Sequence, residues 1–225
     1  EFDGKWYYGF DFKRFDKTVP SWLITKAFGI LADNIDFVNY EHHGIADARK
    51  NYRMFKYIED YFINTPVRLA SGERYLKNSG VASGSYFTQL IDSIINHIII
   101  LWLCYRNGVY PHRLLVLGDD SLLAVSVALD MDLCYALVDS IGMEINKDKS
   151  SFSTNIHELT FLGYKINNGF PHKDRDDWAA ALAYPERPDI TYDDFASRAL
   201  GLFYANLGVD QVFDRLCRVI ITARP

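Results

Sequence analysis

Apolar residues recur along the 225-residue chain in two kinds of block. Some are short runs bounded by Gly, Asp or Ser, and others return every three or four residues over several turns. Residues 5–11, KWYYGFD, are aromatic-rich and predict a strand. PSWLITKAFGILADNI, from Pro20, has helical spacing with proline at a tolerated first-turn position. Residues 46–62 predict another helix, and TPVRLASGERYLK (65–77) a hairpin around a Ser-Gly turn. The Gly/Ser loop NSGVASGSYF leads into a long apolar helix over 86–106. RLLVLGDDSLLAVSV (113–127) has two apolar arms around Gly118-Asp119-Asp120 and predicts a buried hairpin. A helix over 129–141, a loop through GMEINKDKSSF and a strand pair in ELTFLGYKINNGF (158–170) follow. From about 175 the pattern is helical to the end, broken at YPERPD. No repeat or low-complexity segment interrupts it. Paired strands mixed with helices make the fold class α+β with a helical tail.

Composition narrows the function classes. At 49% hydrophobic and 15% aromatic residues the chain can build a substantial core and is not disordered. A net charge of −5 argues against a stand-alone nucleic-acid binder with a basic surface. It leaves room for an enzyme that holds nucleic acid through metal ions and a local basic groove. Cys104, Cys134 and Cys217 lie in apolar surroundings, as buried thiols do, and suggest neither a disulfide framework nor a zinc site. The apolar run around 98–105 is too short to span a bilayer, so no membrane partner is expected. The opening EFDGKWYYGFDF lacks the basic and apolar regions of a signal peptide, and its start without methionine suggests a piece of a longer protein.

The informative chemistry is acidic. Asp119 and Asp120 stand at the apex of an apolar hairpin, where unpaired carboxylates are costly. Asp11 and Asp16 end the first strand. If the two strands are neighbours, Asp11 and Asp119 converge. Two carboxylates about 4 Å apart repel by about 4 kcal/mol at an effective dielectric near 20. A divalent ion removes that repulsion, and hard oxygen ligands suit Mg²⁺ or Mn²⁺ rather than zinc. Two such ions can clamp the attacking and leaving oxygens of a phosphoryl transfer.

A D-x4-D element on a first strand, an SG-x3-T loop and helix, and a GDD hairpin, in that order, resemble the palm of viral RNA-dependent RNA polymerases. NKDKSS resembles the lysine-bearing segment that follows the hairpin there, and LTFLG the later strand pair near the primer. FDKTVPSWLI, SGVASGSYFTQLIDSIIN and LGDDSL are more specifically similar to the partitivirus group and its relatives with small double-stranded RNA genomes. AYPERPD and RALGLFYANLG resemble the start of the thumb. The likeness implies a polymerase palm over 1–170, an antiparallel sheet with flanking helices, and the helical start of a thumb over 171–225, with the fingers largely missing.

It also implies roles. Asp11 and Asp119 would be the principal ligands of two Mg²⁺ (or Mn²⁺) ions, with Asp120 assisting. Asp16 would accept a hydrogen bond from the ribose 2′-OH, where reverse transcriptases carry an aromatic ring that blocks it. Ser83 and Gly84 would meet the incoming sugar or the template, although the same residues also make an ordinary helix start. Thr88, Asp92 and Asn96 fall at four-residue steps and share a helix face. Asp92 departs from the family, which usually has Asn there. If Asp92 faces Asp16, one of them is protonated, bridged by a base or turned away. Asn96 would serve in its place or cap a buried polar contact. Lys149 would be the general acid for the departing pyrophosphate, with Lys147 a neighbour of the same chemistry. Lys13 and Arg14 either contact triphosphate or RNA or are solvated. His42 and His43 carry no metal expectation, His97 is expected in the core or an interface, and Cys104 has no base beside it.

The implied activity is template-directed RNA synthesis that replicates and transcribes a viral genome. Its partners would be an RNA template, the nascent strand, ribonucleoside triphosphates and a capsid protein, in the host cytoplasm and inside the virion. A reverse transcriptase is the alternative enzyme, against which Asp16 argues. A non-catalytic palm-like binding module is the other, against which the clustered charge argues. Such polymerases carry a basic fingers segment before the first Asp strand, and ten residues precede Asp11 here. The fragment alone is therefore expected to be inactive and marginally soluble.

Overall fold

Tyr7 and Tyr8 are adjacent and both buried, although neighbouring residues of a strand point to opposite faces. Each finds its own cover. Tyr8 enters the main core, where its hydroxyl accepts from the Leu129 N–H at 2.9 Å. The Tyr7 hydroxyl donates to the Gly4 carbonyl at 2.8 Å. Both faces of this strand are thus occupied. The computed structural model describes residues 4–39, 47–82 and 84–223. These fall into two compact units, which divide between Thr154 and Asn155.

In chain order the first unit holds β1 (Trp6–Gly9), the single turn α1 (Phe15–Thr18), α2 (Ser21–Asp33), α3 (Ala48–Ile63), β2 (Pro66–Arg68) and β3 (Arg74–Leu76). Then come α4 (Thr88–Arg106), β4 (Pro111–Leu117), β5 (Asp120–Val125), α5 (Met131–Ser140) and β6 (Ser151–Ser153). Its main sheet is antiparallel, in the order β4-β5-β1-β6. Tyr8 lies opposite Leu123 on one side and Phe152 on the other. This register places the end of β1, and Asp11 beyond it, beside the β4–β5 turn. β2 and β3 form a separate hairpin.

The core gathers Phe10, Phe12 and Phe15 from the β1 end, Leu23, Ile24 and Phe28 from α2, and Ile91, Ile95, Ile99 and Leu103 from α4. The α4 residues recur at four-residue steps, so one apolar stripe packs on α2 and β4. The apolar run is short, but the helix containing it has 19 residues and is apolar enough to cross a bilayer by length and composition. Its buried stripe in the core of this unit accounts for that composition.

The second unit begins with a 3-10 turn at Ile156–Glu158, followed by β7 (Thr160–Phe161), β8 (Tyr164–Asn167) and β9 (Phe170–His172). These form an antiparallel three-stranded sheet where a strand pair was expected. α6 (Arg175–Ala183), α7 (Tyr192–Asn206) and α8 (Gln211–Thr222) follow, and Trp178 stacks on Phe213 with ring centroids 5.3 Å apart in their core. Thr191 and Asp194 close a capping box at the start of α7, after the break at YPERPD.

Candidate active site

The β4–β5 hairpin pairs Leu117 with Asp120, leaving Gly118 and Asp119 as a two-residue turn. Gly118 has φ +62°, and glycine at the first turn position is what a II′ hairpin turn requires. Two residues of α4 hold this turn. The Ser93 hydroxyl accepts from the Gly118 N–H at 2.7 Å. The Asn96 amide donates to the carbonyls of Gly118, at 3.2 Å, and Asp119, at 2.8 Å. The backbone of the turn is therefore fixed from beneath, and the Asp119 side chain stays exposed at the tip.

Asp11 is held with equal care. Its N–H donates to the Ser150 hydroxyl at 3.0 Å, and its carbonyl accepts from the Asn146 N–H at 2.7 Å. The Lys13 N–H donates to the Glu144 carbonyl at 2.8 Å. The segment 144–150 is thereby pinned along the residues that follow β1. Within it, Lys149 and Lys147 part company. Lys149 lines the cleft described next, while the Lys147 ammonium lies 4.2 Å from the centre of the Tyr135 ring.

An open cleft of about 530 Å³ lies between these elements, lined by Asp11, Asp16, Thr88, Asp92, Asp119 and Lys149 among others. That volume is of the size of a small-molecule site. Lys13 and Arg14 also line it, Lys13 paired with Glu144 at 2.5 Å. Asp16 belongs to α1, and its carbonyl accepts from the Val81 N–H at 2.6 Å. Gly80 makes that approach possible: at φ +74°, a Cβ there would lie 2.6 Å from the Asp16 carbonyl oxygen.

Two of the gathered acids, Asp92 and Asp120, are held above the usual carboxylate range. Burial, and then the charges of Asp119 and Asp16, push the Asp92 carboxyl up to about 7. Asp92 is 8% exposed, and its Oδ1 has no hydrogen-bond partner among the described residues. Asp120, the first residue of β5, is solvent-exposed. Burial, followed by the charges of Asp119 and Asp11, raises its carboxyl above the usual range. Asp120 thus lies close enough to Asp119 and Asp11 to feel both charges. Hard carboxylate oxygens in this arrangement fit a divalent cation such as Mg²⁺. Among the described residues no group of three or more His, Cys, Asp or Glu is drawn tightly enough to enclose an ion unaided. An open set of carboxylates suits Mg²⁺, which commonly takes one or two protein carboxylates and completes its shell with water and substrate phosphate.

The remaining expected residues divide. Thr88 reaches the cleft, and its hydroxyl donates to the Ala82 carbonyl. Asn96 does not: it is fully buried beneath the turn, so its place is structural support, the second of its two expected uses. Gly84, at φ +88°, lines a separate hollow of about 280 Å³ with Tyr61, Ser85 and Tyr86. Ser83, His42 and His43 lie outside the described residues. His97 is exposed rather than in the core, because it falls opposite the buried stripe of α4. Cys104 is buried, and burial pushes its thiol up to about 11, the opposite of an activated nucleophile. Sequence reasoning missed Ser93, a polar residue one turn before Asn96 on an apolar helix.

Residues 1–218 match the family model of the viral RNA-dependent RNA polymerase. The chain belongs to that polymerase family. The RNA-directed RNA polymerase of Cryptosporidium parvum virus 1 is 29% identical over 95% of this chain and 43% of its own length. That of Atkinsonella hypoxylon virus is 30% identical over 77% of this chain and 28% of its own length. The chain thus spans less than half the length of these curated relatives. The RNA-dependent RNA polymerase of a human picobirnavirus superposes with a TM-score of 0.76 at 16% identity, over 97% of this chain and 42% of that one. This likeness shows the polymerase fold, with its antiparallel sheets and helices. The resemblance to partitivirus-like polymerases stated from the motifs is borne out by these relatives.

Proposed function

We propose that this chain carries the palm and the start of the thumb of an RNA-directed RNA polymerase, and that its cleft performs template-directed nucleotidyl transfer in viral RNA replication. The observation that carries the reading is the convergence of Asp11, Asp16, Asp92, Asp119 and Lys149 on one cleft from four separate segments. In the reaction, the 3′-oxygen of the growing strand bonds to the α-phosphorus of a ribonucleoside triphosphate, and the bond to the pyrophosphate oxygen breaks.

Asp11 and Asp119, with Asp120 assisting, would hold two Mg²⁺ or Mn²⁺ ions. When bound, these supply charge stabilisation at the attacking and leaving oxygens. The chain's own residues do the rest. The Ser93–Asn96 support and the Ser150 contact keep the two carboxylate-bearing segments in place. Asp16 accepts a hydrogen bond from the ribose 2′-hydroxyl, with Thr88 and Asp92 lining the same cleft. Lys149 gives its proton to the departing pyrophosphate, a role favoured over Lys147 by its place in the cleft.

Nucleotide incorporation on an RNA template, measured on the protein as encoded with ribo- and deoxynucleotides, tests this. Incorporation of ribonucleotides alone, lost in Asp119→Asn, is expected. Activity surviving Asp119→Asn would remove the turn from the chemistry. Equal use of deoxynucleotides would remove Asp16 from sugar choice and return the reverse-transcriptase reading.

A further inference from the structure

We propose that the outward face of α3 is a track for single-stranded RNA, leading to the hollow beside Gly84 and Tyr86. The inference rests on the polymerase reading and names a surface for its template strand. It begins with charge. Between residues 47 and 77 there are seven Lys and Arg against four Asp and Glu, in a chain whose net charge is −5. A local reversal of sign is the electrostatic footprint of a polyanion partner.

The arrangement is more specific than the count. Arg49, Arg53, Tyr57 and Tyr61 fall at four-residue steps on α3, so they form one ridge, with Lys50 alongside. All five are exposed, Tyr57 at 65% and Tyr61 at 54%. The opposite side of the helix buries Phe55, Glu59 and Phe62, so the ridge points away from the core. Arg49, Lys50 and Arg53 form no ion pair among the described residues, whereas Lys56 pairs with Glu59. Cations followed by rings match what a single strand presents, a charged backbone and unstacked bases.

Two further observations extend the track. Tyr61, the last residue of the ridge, also lines the hollow that contains Gly84, Ser85 and Tyr86. Tyr86 projects fully into solvent there. The ridge therefore runs toward the loop that opens α4, whose first residue, Thr88, lines the acidic cleft. On the hairpin that continues from α3, Arg68 stands directly opposite Arg74, and neither is ion-paired among the described residues. Like charges placed opposite each other weaken a hairpin, and a bound phosphate relieves that cost.

The probe is a 5′-fluorescein-labelled, unstructured 12-nucleotide RNA, titrated by anisotropy into the protein as encoded between 50 and 200 mM salt. Circular dichroism confirms that the variants fold. Arg49→Ala/Arg53→Ala is expected to weaken binding at least tenfold at low salt. It should also lower the logarithmic salt slope by about 1.4, since each lost phosphate contact on a single strand is worth about 0.7. Tyr57→Ala/Tyr61→Ala is expected to weaken binding about fivefold or more per ring without changing the slope. Arg187→Ala/Arg215→Ala, on exposed arginines of the second unit, removes the same charge and should do neither. Equal losses in the two arginine pairs would overturn the track, because net charge alone would then explain the binding. A photo-crosslinker at position 50 of the protein as encoded is expected to capture RNA. Capture of a protein segment instead would also overturn the track, making the face a docking surface. Wild-type RNA binding in Arg49→Ala/Arg53→Ala, with incorporation lost in Asp119→Asn, would sink the track and leave the polymerase reading standing. Binding on α3 with no incorporation by the wild-type protein as encoded would do the reverse.

Discussion

The Asn96 side chain, fully buried in α4, donates a hydrogen bond of 2.8 Å to the carbonyl of Asp119. One amide thus ties the central helix to the residue most exposed to the proposed chemistry. Its other donor contact reaches Gly118, and Ser93 completes the support. Replacing Asn96 by Leu leaves two carbonyls at the turn unpaired, which is expected to cost about 1–3 kcal/mol of stability. The turn should loosen as well, so the Mg²⁺ concentration needed for half-maximal nucleotide incorporation should rise severalfold. Unfolding by urea and a metal titration of activity check the two effects. A loss of stability with an unchanged Mg²⁺ requirement would confine Asn96 to folding.

Asp92 predicts a pH dependence of known sign. Its carboxyl holds a proton up to about 7 in the folded protein, against 3.8 for an ordinary aspartate, because it is buried and faces Asp119 and Asp16. Between those values the folded state binds more protons than the unfolded state. Stability therefore falls as pH rises through this window, by on the order of 4 kcal/mol once the pH is well above 7. Asp92→Asn removes the titrating group. Urea unfolding from pH 5 to 8.5 in chelator should show a downward slope in the wild type that is flattened in the variant, with the variant the more stable at pH 8. Parallel profiles would mean that Asp92 titrates normally.

Local pattern made much of this site legible. The apolar arms and the Gly-Asp turn of 113–127 are contiguous, and so is the stripe of α4. The two carboxylate segments converge as expected because β1 and β5 are partners. What stayed hidden is long-range. Ser93 and Gly118 are far apart in sequence, and nothing local marks a serine on an apolar helix as a support for a turn. β6 pairs with β1 across most of the first unit, and three residues of Ser-Phe-Ser in a polar stretch carry no strand period. β9 adds a third strand to the expected pair, and its Phe-Pro-His, with proline at the centre, carries no strand period.

Two glycines at positive φ should respond differently to the same substitution. Gly118→Ala meets open space and suffers only its backbone angle, about 1–2 kcal/mol. Gly80→Ala adds to that a Cβ 2.6 Å from the carbonyl oxygen of Asp16 and 3.1 Å from the Cα of Lys17, both backbone atoms that cannot rotate aside. It is expected to be the more destabilising of the pair and to displace Asp16. Selection against deoxynucleotides should then decline in Gly80→Ala and persist in Gly118→Ala. Thermal unfolding and a ribo-to-deoxynucleotide incorporation ratio measure both. Equal destabilisation would mean that the loop yields at Gly80.

Lys77 carries the last prediction, and no sequence signal pointed to it because its partners are backbone carbonyls. Its ammonium donates to Phe62 at 2.7 Å, Ile63 at 3.1 Å and Gly80 at 2.7 Å. A cation at the carbonyl end of α3 is favourable, since the last carbonyls of a helix lack partners and carry its partial negative charge. The third bond ties that helix end to the loop that rests on Asp16. Burial lowers the ammonium below its usual value, so the lysine is held by these contacts rather than by solvent. Lys77→Met keeps the stem and removes all three bonds, and is expected to cost about 1–3 kcal/mol. Because the Gly80 carbonyl is released, the Val81 N–H, now bonded to Asp16, should exchange with deuterium faster than in the wild type. Unchanged exchange at Val81 alongside lost stability would restrict Lys77 to capping α3.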